Sequence, residues 1–159
     1  MSVFERLTDL AACLCAQIEA DGGPPTCFCG VIPGDAAVGD YAGDCDEKCG
    51  MAWVRLIMAY PATGVGAPDE TVGNCSASLG FDVEVGILRC IDVPEDGSAP
   101  PAEEQVATTQ LQVADMMTMW RAINCCEALP NKDFILGAYQ PMGPLGALVG
   151  GNFTLRTVL

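Results

Sequence analysis

The sequence predicts an α+β domain in which two helices pack on a mainly antiparallel, mixed sheet. Three observations carry that expectation. Residues 3–20 and about 103–125 each place apolar side chains at helical spacing. The run FDVEVGIL alternates strictly at the strand period. The order of elements is helix, strand, long loop, strand, strand, helix, strand, strand, which mixes helices and strands without the regular βαβ alternation of a parallel sheet. At 159 residues the chain is read as one domain, 1–159, long enough to bury roughly 68–70% of its unfolded surface.

In the first helix Phe4, Leu7, Leu10, Ala11, Leu14 and Ile18 form the apolar stripe, opposed by Glu5, Asp9 and Glu19. Gly22, Gly23, Pro24 and Pro25 stop it. TCFCGVIP, closed by Pro33-Gly34, predicts a strand, and residues 35–50 a loop rich in Gly and Asp. MAWVRLIMAY, residues 51–60, is apolar on both faces, as a central strand would be. FDVEVGIL puts Phe81, Val83, Val85 and Ile87 on one face. Residues 61–74 are rich in Gly and Pro and read as a functional or interface loop. In VPEDGSAPPAEE, Ser98, Pro100, Pro101, Glu103 and Glu104 suit a helix entrance. The second helix presents Val106, Ala107, Leu111, Ala114, Met117, Trp120 and Ile123, and Pro130-Asn131 ends that region. DFILGAY and GNFTLRTVL are the last two strands, joined by PMGPLGALVGG. No internal repeat or low-complexity segment is present.

Composition narrows the function. There are 21 acidic and 7 basic residues, a net charge of −14 and a pI near 4.1. Clustered Lys and Arg are what phosphate neutralisation needs, so specific nucleic-acid binding is not expected. Half of the residues are hydrophobic, only 18% are charged and mean hydropathy is +0.31, which excludes a solvated disordered chain. No run approaches the roughly 20 apolar residues of a membrane span. The opening MSVFERLTDLAAC has acids where a signal peptide needs a positive segment, so synthesis in the cytoplasm and no membrane partner are expected. There is no histidine, hence no usual general base or commonest metal ligand. High hydropathy with strong negative charge fits assembly, with apolar patches buried between copies and acids facing solvent or a lumen. The expectation is a protein that is not an enzyme and carries no cofactor.

The ten cysteines are the feature that needs explaining: Cys13, Cys15, Cys27, Cys29, Cys45, Cys49, Cys75, Cys90, Cys125 and Cys126. Three readings stand. They are buried small hydrophobes; or they form disulfides once the protein reaches an oxidising place, with Cys27, Cys29, Cys45, Cys49, Cys75 and Cys90 as candidates in unspecified pairing; or Cys27, Cys29, Cys45 and Cys49 form a four-thiolate zinc cluster. Cys13 and Cys15 lie about 200° apart on a helix and cannot face one ion. A thiol enzyme would need a base or a cationic neighbour to make thiolate.

Asp82 with Glu84, or Asp44, Asp46 and Glu47, have the residue types for acid/base or calcium chemistry, but acids scattered along the whole chain favour a solvated face. The glycines of PMGPLGALVGGNF lack the Lys-Ser/Thr of a phosphate loop. Met116, Met117, Met119 and Trp120 exceed one buried stripe, so core with a share of partner surface is expected. Arg55 and Arg89, beside the strand core, are expected to pair with buried or interfacial acids rather than to contact DNA.

One set of segments runs through Cys13 and Cys15, Cys27-Phe28-Cys29, Gly50-Met51-Ala52-Trp53-Val54-Arg55, Cys75, Glu84-Val85-Gly86-Ile87-Leu88-Arg89-Cys90 and Cys125. It closes on the most specific stretch, Pro141-Met142-Gly143-Pro144-Leu145-Gly146-Ala147-Leu148-Val149-Gly150-Gly151-Asn152-Phe153-Thr154. In these segments, and so across its length, the chain resembles the tail terminator proteins of siphophages that infect actinobacteria. Leu148 and Phe153 stand where the family form has a cysteine and a tryptophan, while a Gly150-Gly151 turn is retained. The resemblance implies a small α/β domain and a structural role in the virion. Six copies would form a ring that caps the head-proximal end of the tail tube, ends tube polymerisation and receives the head-side connector. DNA would pass through without specific binding. On that reading Asp35, Asp40, Asp44, Asp46 and Glu47 face the lumen or rim, where acids repel phosphate, and the sheet edge and residues 61–74 serve the ring contacts. The alternatives from other classes are a head–tail stopper or tail tube subunit, and a cysteine-based zinc or redox protein.

Overall fold

The computed structural model describes residues 2–34, 45, 49–68, 78–127 and 134–158. Its elements, in chain order, are α1 (Val3–Ala20), β1 (Thr26–Val31), β2 (Gly50–Gly64), β3 (Ala67–Pro68), β4 (Ser78–Cys90), α2 (Ala102–Cys125), β5 (Phe134–Leu145) and β6 (Leu148–Val158). The α+β class and the order of the main elements are as the sequence predicts. The sheet is mixed and six-stranded, in the order β1-β2-β4-β6-β5 with β3 beside β2. Among the described residues the β1–β2 pair is parallel and the other pairs are antiparallel.

α1 begins in a capping box. Ser2 accepts from the Glu5 backbone N–H at 3.2 Å, and the Glu5 carboxylate accepts from the Ser2 N–H at 2.6 Å. Two of the helix's unsatisfied donors are thereby met. Leu7, Leu10, Ala11, Leu14 and Ile18 are the buried stripe, as their spacing predicts; Phe4 instead is 68% exposed. Asp21 caps the C-terminus and Gly22 leaves it at φ +65, a conformation that glycine adopts without a Cβ clash.

Phe81, Val83, Val85 and Ile87 all enter the main core, against α1, Met119, Ala122 and Ile123 of α2, and Phe153 and Leu155 of β6. Strand alternation sends the next residues to the sheet's other face. There Ile32, Met51, Trp53 and Leu88 make a second cluster, with Phe28, Met142 and Leu148 packed against it. β2 is therefore buried on both faces from Gly50 to Val54, as a central strand should be, but Ile57, Met58 and Ala59 are exposed.

Two connecting segments differ from expectation. Residues 61–64 continue β2 instead of starting a loop, and a turn at Val65-Gly66, with Gly66 at φ +69, leads into β3; residues 69–74 lie outside the described ones. PMGPLGALVGG is mostly strand. Its turn falls at Gly146-Ala147, with Gly146 at φ +61, while Gly150 and Gly151 sit inside β6 opposite Leu88 and Ile87. They are not a turn. Their requirement for glycine comes from close approach: a Cβ on Gly150 would fall 2.0 Å from the Ile87 carbonyl oxygen, and one on Gly151 2.3 Å from the Tyr139 hydroxyl.

Candidate functional site

The face of the sheet that no described helix covers carries a line of paired charges. Arg55 and Glu84 are cross-strand partners on β2 and β4, and they pair at 2.8 Å from Nε to Oε1. Trp53 donates its indole N–H to the same carboxylate at 2.7 Å, and Arg55 also donates to the Gly34 carbonyl at 2.9 Å. One register step along, Asp82 accepts from Tyr60 at 3.2 Å and pairs with Arg156 of β6 at 3.5 Å. Asp82 and Glu84 are 6% and 8% exposed. The expectation of a solvated face for these acids is therefore overturned: each is a buried carboxylate held by a cation and a second donor, as buried charge requires. The ring of Trp53 lies against Gly86, where a Cβ would come within 2.1 Å of it.

On the opposite face Arg89, the next residue in the core-facing alternation of β4, meets Asp115 of α2 in a two-point pair at 2.9 and 2.8 Å. Its Nη1 donates to the carbonyls of Pro24 and Pro25. One guanidinium thus ties β4, α2 and the α1–β1 connection, and the expected pairing of Arg55 and Arg89 with acids is met in both cases. Nearby, Asp21 accepts from Thr118 and from Arg121 of α2. Those hydrogen bonds, Thr118 first, hold its carboxyl below the usual range.

The cysteines form bridges: Cys13–Cys126, Cys15–Cys29, Cys27–Cys49 and Cys45–Cys90, with Cα separations of 5.4 to 5.9 Å that suit disulfides. This corrects the zinc reading. Cys27, Cys29, Cys45 and Cys49 are distributed over three disulfides, so no free thiolate remains among them to ligate a metal. No group of three or more metal-ligating side chains occurs among the described residues. Of the candidate disulfide cysteines, Cys27, Cys29, Cys45, Cys49 and Cys90 are bridged, and Cys75 lies outside the described residues. Cys13, Cys15 and Cys126 join the bridged set without having been expected to. The helical geometry that separates Cys13 from Cys15 is the signal that each needs its own partner. Cys125 is exposed and free.

The expected lumen acids Asp35, Asp40, Asp44, Asp46 and Glu47 fall outside the described residues. The methionine cluster divides: Met119 is wholly buried and Met116 packs on the core, whereas Met117 and Trp120 are 40% and 46% exposed. A cleft of about 610 Å³ opens between the N-terminal half of α2 and the β5–β6 hairpin, lined by Gln105, Thr108, Leu111, Gln112, Pro144 and Val149 among others. Gln112 donates to the Gly150 carbonyl at 2.6 Å across its floor. Asp92 and Glu104 also line it, so the cleft combines apolar and hydrogen-bonding surface with two carboxylates. Asn152, 6% exposed, gives its amide N–H to Met142 Sδ at 3.3 Å and leaves its oxygen without a hydrogen-bond partner.

No known family model matches this chain, and no curated protein does. No described helix is long and apolar enough to cross a membrane.

Proposed function

We propose that the protein is a structural component of a phage virion, a tail-terminator-like ring subunit at the head-proximal end of a siphophage tail tube. Six copies close the ring, end tube polymerisation and present a surface to the head-side connector, while DNA passes through the lumen. The observation that carries this reading is the open sheet. Among the described residues β1 and β5 each have a single sheet neighbour, and they are unlike: one is short and pairs in parallel, the other is long and antiparallel. A closed ring needs two different patches per subunit, one for each neighbour, and two unlike edges supply them.

Two further observations support it. The segments that carry the resemblance include adjacent strands β2, β4 and β6, where they interlock through Trp53 on Gly86, Arg55 with Glu84, and Gly150 against Ile87. Four disulfides also suit a protein that ends outside the reducing cytoplasm.

The test is deletion of the gene from the genome that encodes it, followed by electron microscopy of the lysate. Tails of uncontrolled length, detached from heads, are expected; normal joined virions would overturn the proposal. Crosslinking in assembled particles separates this role from a stopper or tube subunit, since a terminator contacts both the tube protein and the connector.

A further inference from the structure

The cleft between α2 and the β5–β6 hairpin is poor in free hydrogen-bond donors. Gln112 directs its side-chain amide N–H groups to the carbonyls of Gly150 and Met142, at 2.6 and 3.4 Å. Gln105 donates an amide hydrogen to the Pro100 carbonyl at 2.7 Å, and Thr109 donates its hydroxyl hydrogen to the Gln105 carbonyl at 2.8 Å. A carbonyl can only accept, so these bonds commit the nitrogen end of each glutamine amide and leave its oxygen as an acceptor. Pro100 and Pro144, also in the lining, have no N–H to offer.

The charge of the lining has the same bias. Asp92 and Glu104 belong to it, and no lysine or arginine does. Glu104 is exposed and makes no ion pair among the described residues. The positive N-terminal end of the α2 dipole is offset by Glu103 and Glu104 in the first turn.

A cleft with acceptors in excess, two carboxylates and an apolar wall at Leu111 and Val149 is complementary to a cation that carries several N–H groups on an aliphatic stem. Arginine is that side chain, with five donors in a planar fork that matches carboxylate geometry. At about 610 Å³ the cleft falls within the roughly 300–1,000 Å³ of sites that hold ligands, room for an arginine and its flanking residues. The arginines of a second copy are already committed: Arg55, Arg89, Arg121 and Arg156 are ion-paired within the chain, and Arg6 donates to the Val158 carbonyl.

We propose that this cleft is a docking site for an arginine-bearing segment of a different protein, its guanidinium received by the carboxylates and amide oxygens and its stem by the apolar wall. Every lining residue belongs to one chain, so the site is independent of the ring reading.

The test is a titration of the oxidised, ¹⁵N-labelled full chain with the peptide acetyl-Leu-Arg-Leu-amide at low ionic strength, followed by ¹H–¹⁵N correlation spectra. Saturable shifts should gather on Gln105, Thr108, Gln112 and Val149, with the side-chain NH₂ signals of both glutamines among them. The same peptide with citrulline in place of arginine keeps the shape without the charge and should bind at least about tenfold more weakly. Glu104→Gln should weaken the arginine peptide by about two- to fivefold. Glu103→Gln removes the same charge from a residue outside the lining and should have a clearly smaller effect; both positions are exposed, so the fold is kept. Absence of saturable shifts up to the peptide's solubility limit would overturn the proposal. So would equal binding of the two peptides, equal effects of the two variants, or shifts spread over the acidic surface, which would show attraction to net charge instead of a site.

Discussion

Trp53 and Gly86 show how a single side chain can dictate its neighbour. The indole is wholly buried on a face that no described helix covers, and there it lies against a strand residue with no Cβ. Gly86→Ala must push the ring off Glu84 or bend β4, and overpacking of this kind costs about 1–3 kcal/mol. Gly64→Ala, where nothing lies within 4 Å of the added Cβ, should change stability by no more than about 0.5 kcal/mol. Urea unfolding of the two variants checks this, and equal effects would show that the ring is free to move. Tyr139 supplies a pH test at the same scale. Burial, and secondarily the charge of Asp115, pushes its phenol up to about 12, and the hydroxyl donates to the Gly150 carbonyl at 3.2 Å. Its folded pKa lies above the unfolded value of about 10. The stability it contributes is therefore fully present below that value and is lost as pH rises toward the folded one. Tyrosinate absorbance should show a late-titrating phenol that Tyr139→Phe removes; an unchanged titration curve would place the late group elsewhere.

Between elements, a disulfide and a hydrogen-bonded clasp join the two helices. Cys13 joins α1 to Cys126, just past the end of α2, across a sequence separation of 113. Closing a loop of that length restricts the unfolded chain by roughly 4–5 kcal/mol in the entropy model. The double variant Cys13→Ala/Cys126→Ala should lose most of that in denaturant unfolding, and a loss no larger than for a surface substitution would mean the bridge is dispensable. Asp21, the C-cap of α1, completes the clasp through Thr118 and Arg121. Its folded pKa lies below the unfolded value, so its contribution is present above about pH 4 and is lost as pH falls through the lowered value. Asp21→Asn should flatten that part of the acid limb of the stability curve; an identical limb would show the clasp to be inert. These couplings explain what the sequence discloses and what it hides. Leu7, Leu10, Leu14 and Ile18 declare α1 because burial imposes a helical period, and Phe81 to Ile87 declare β4 because the pleat imposes period two. The ends of β2 and β5 are hidden because Gly and Pro, which normally break strands, sit here at bulges, on an edge strand and at close approaches. Asp82 and Glu84 look like solvent residues because alternation identifies the second face without saying what covers it. The bridges are hidden because pairing is a property of topology: α1 has to lie across β1 and the end of α2 before Cys13 and Cys15 can reach opposite partners.

For the whole molecule, the ring proposed above raises the question of how a chain of net charge −14 would assemble with its own copies. Most of its cations are already committed internally: Arg55, Arg89, Arg121 and Arg156 pair with Glu84, Asp115, Asp21 and Asp82. Little positive charge is therefore left to attract an acidic neighbour, and copies meet against a net repulsion that acts over about a Debye length. Surfaces that can associate under that constraint must be uncharged or apolar, such as the backbone of an open sheet edge. Their attraction is short-ranged and not weakened by salt, whereas the opposing repulsion is screened. Assembly should therefore strengthen as ionic strength rises from about 0.01 M, where the Debye length is roughly 30 Å, to 0.15 M, where it is roughly 8 Å. Sedimentation equilibrium at fixed protein concentration measures this as a rise in mean mass with salt. Mass that falls with salt would mean that ion pairs between copies outweigh the repulsion, and would move the interface off these neutral surfaces and onto the charged ones.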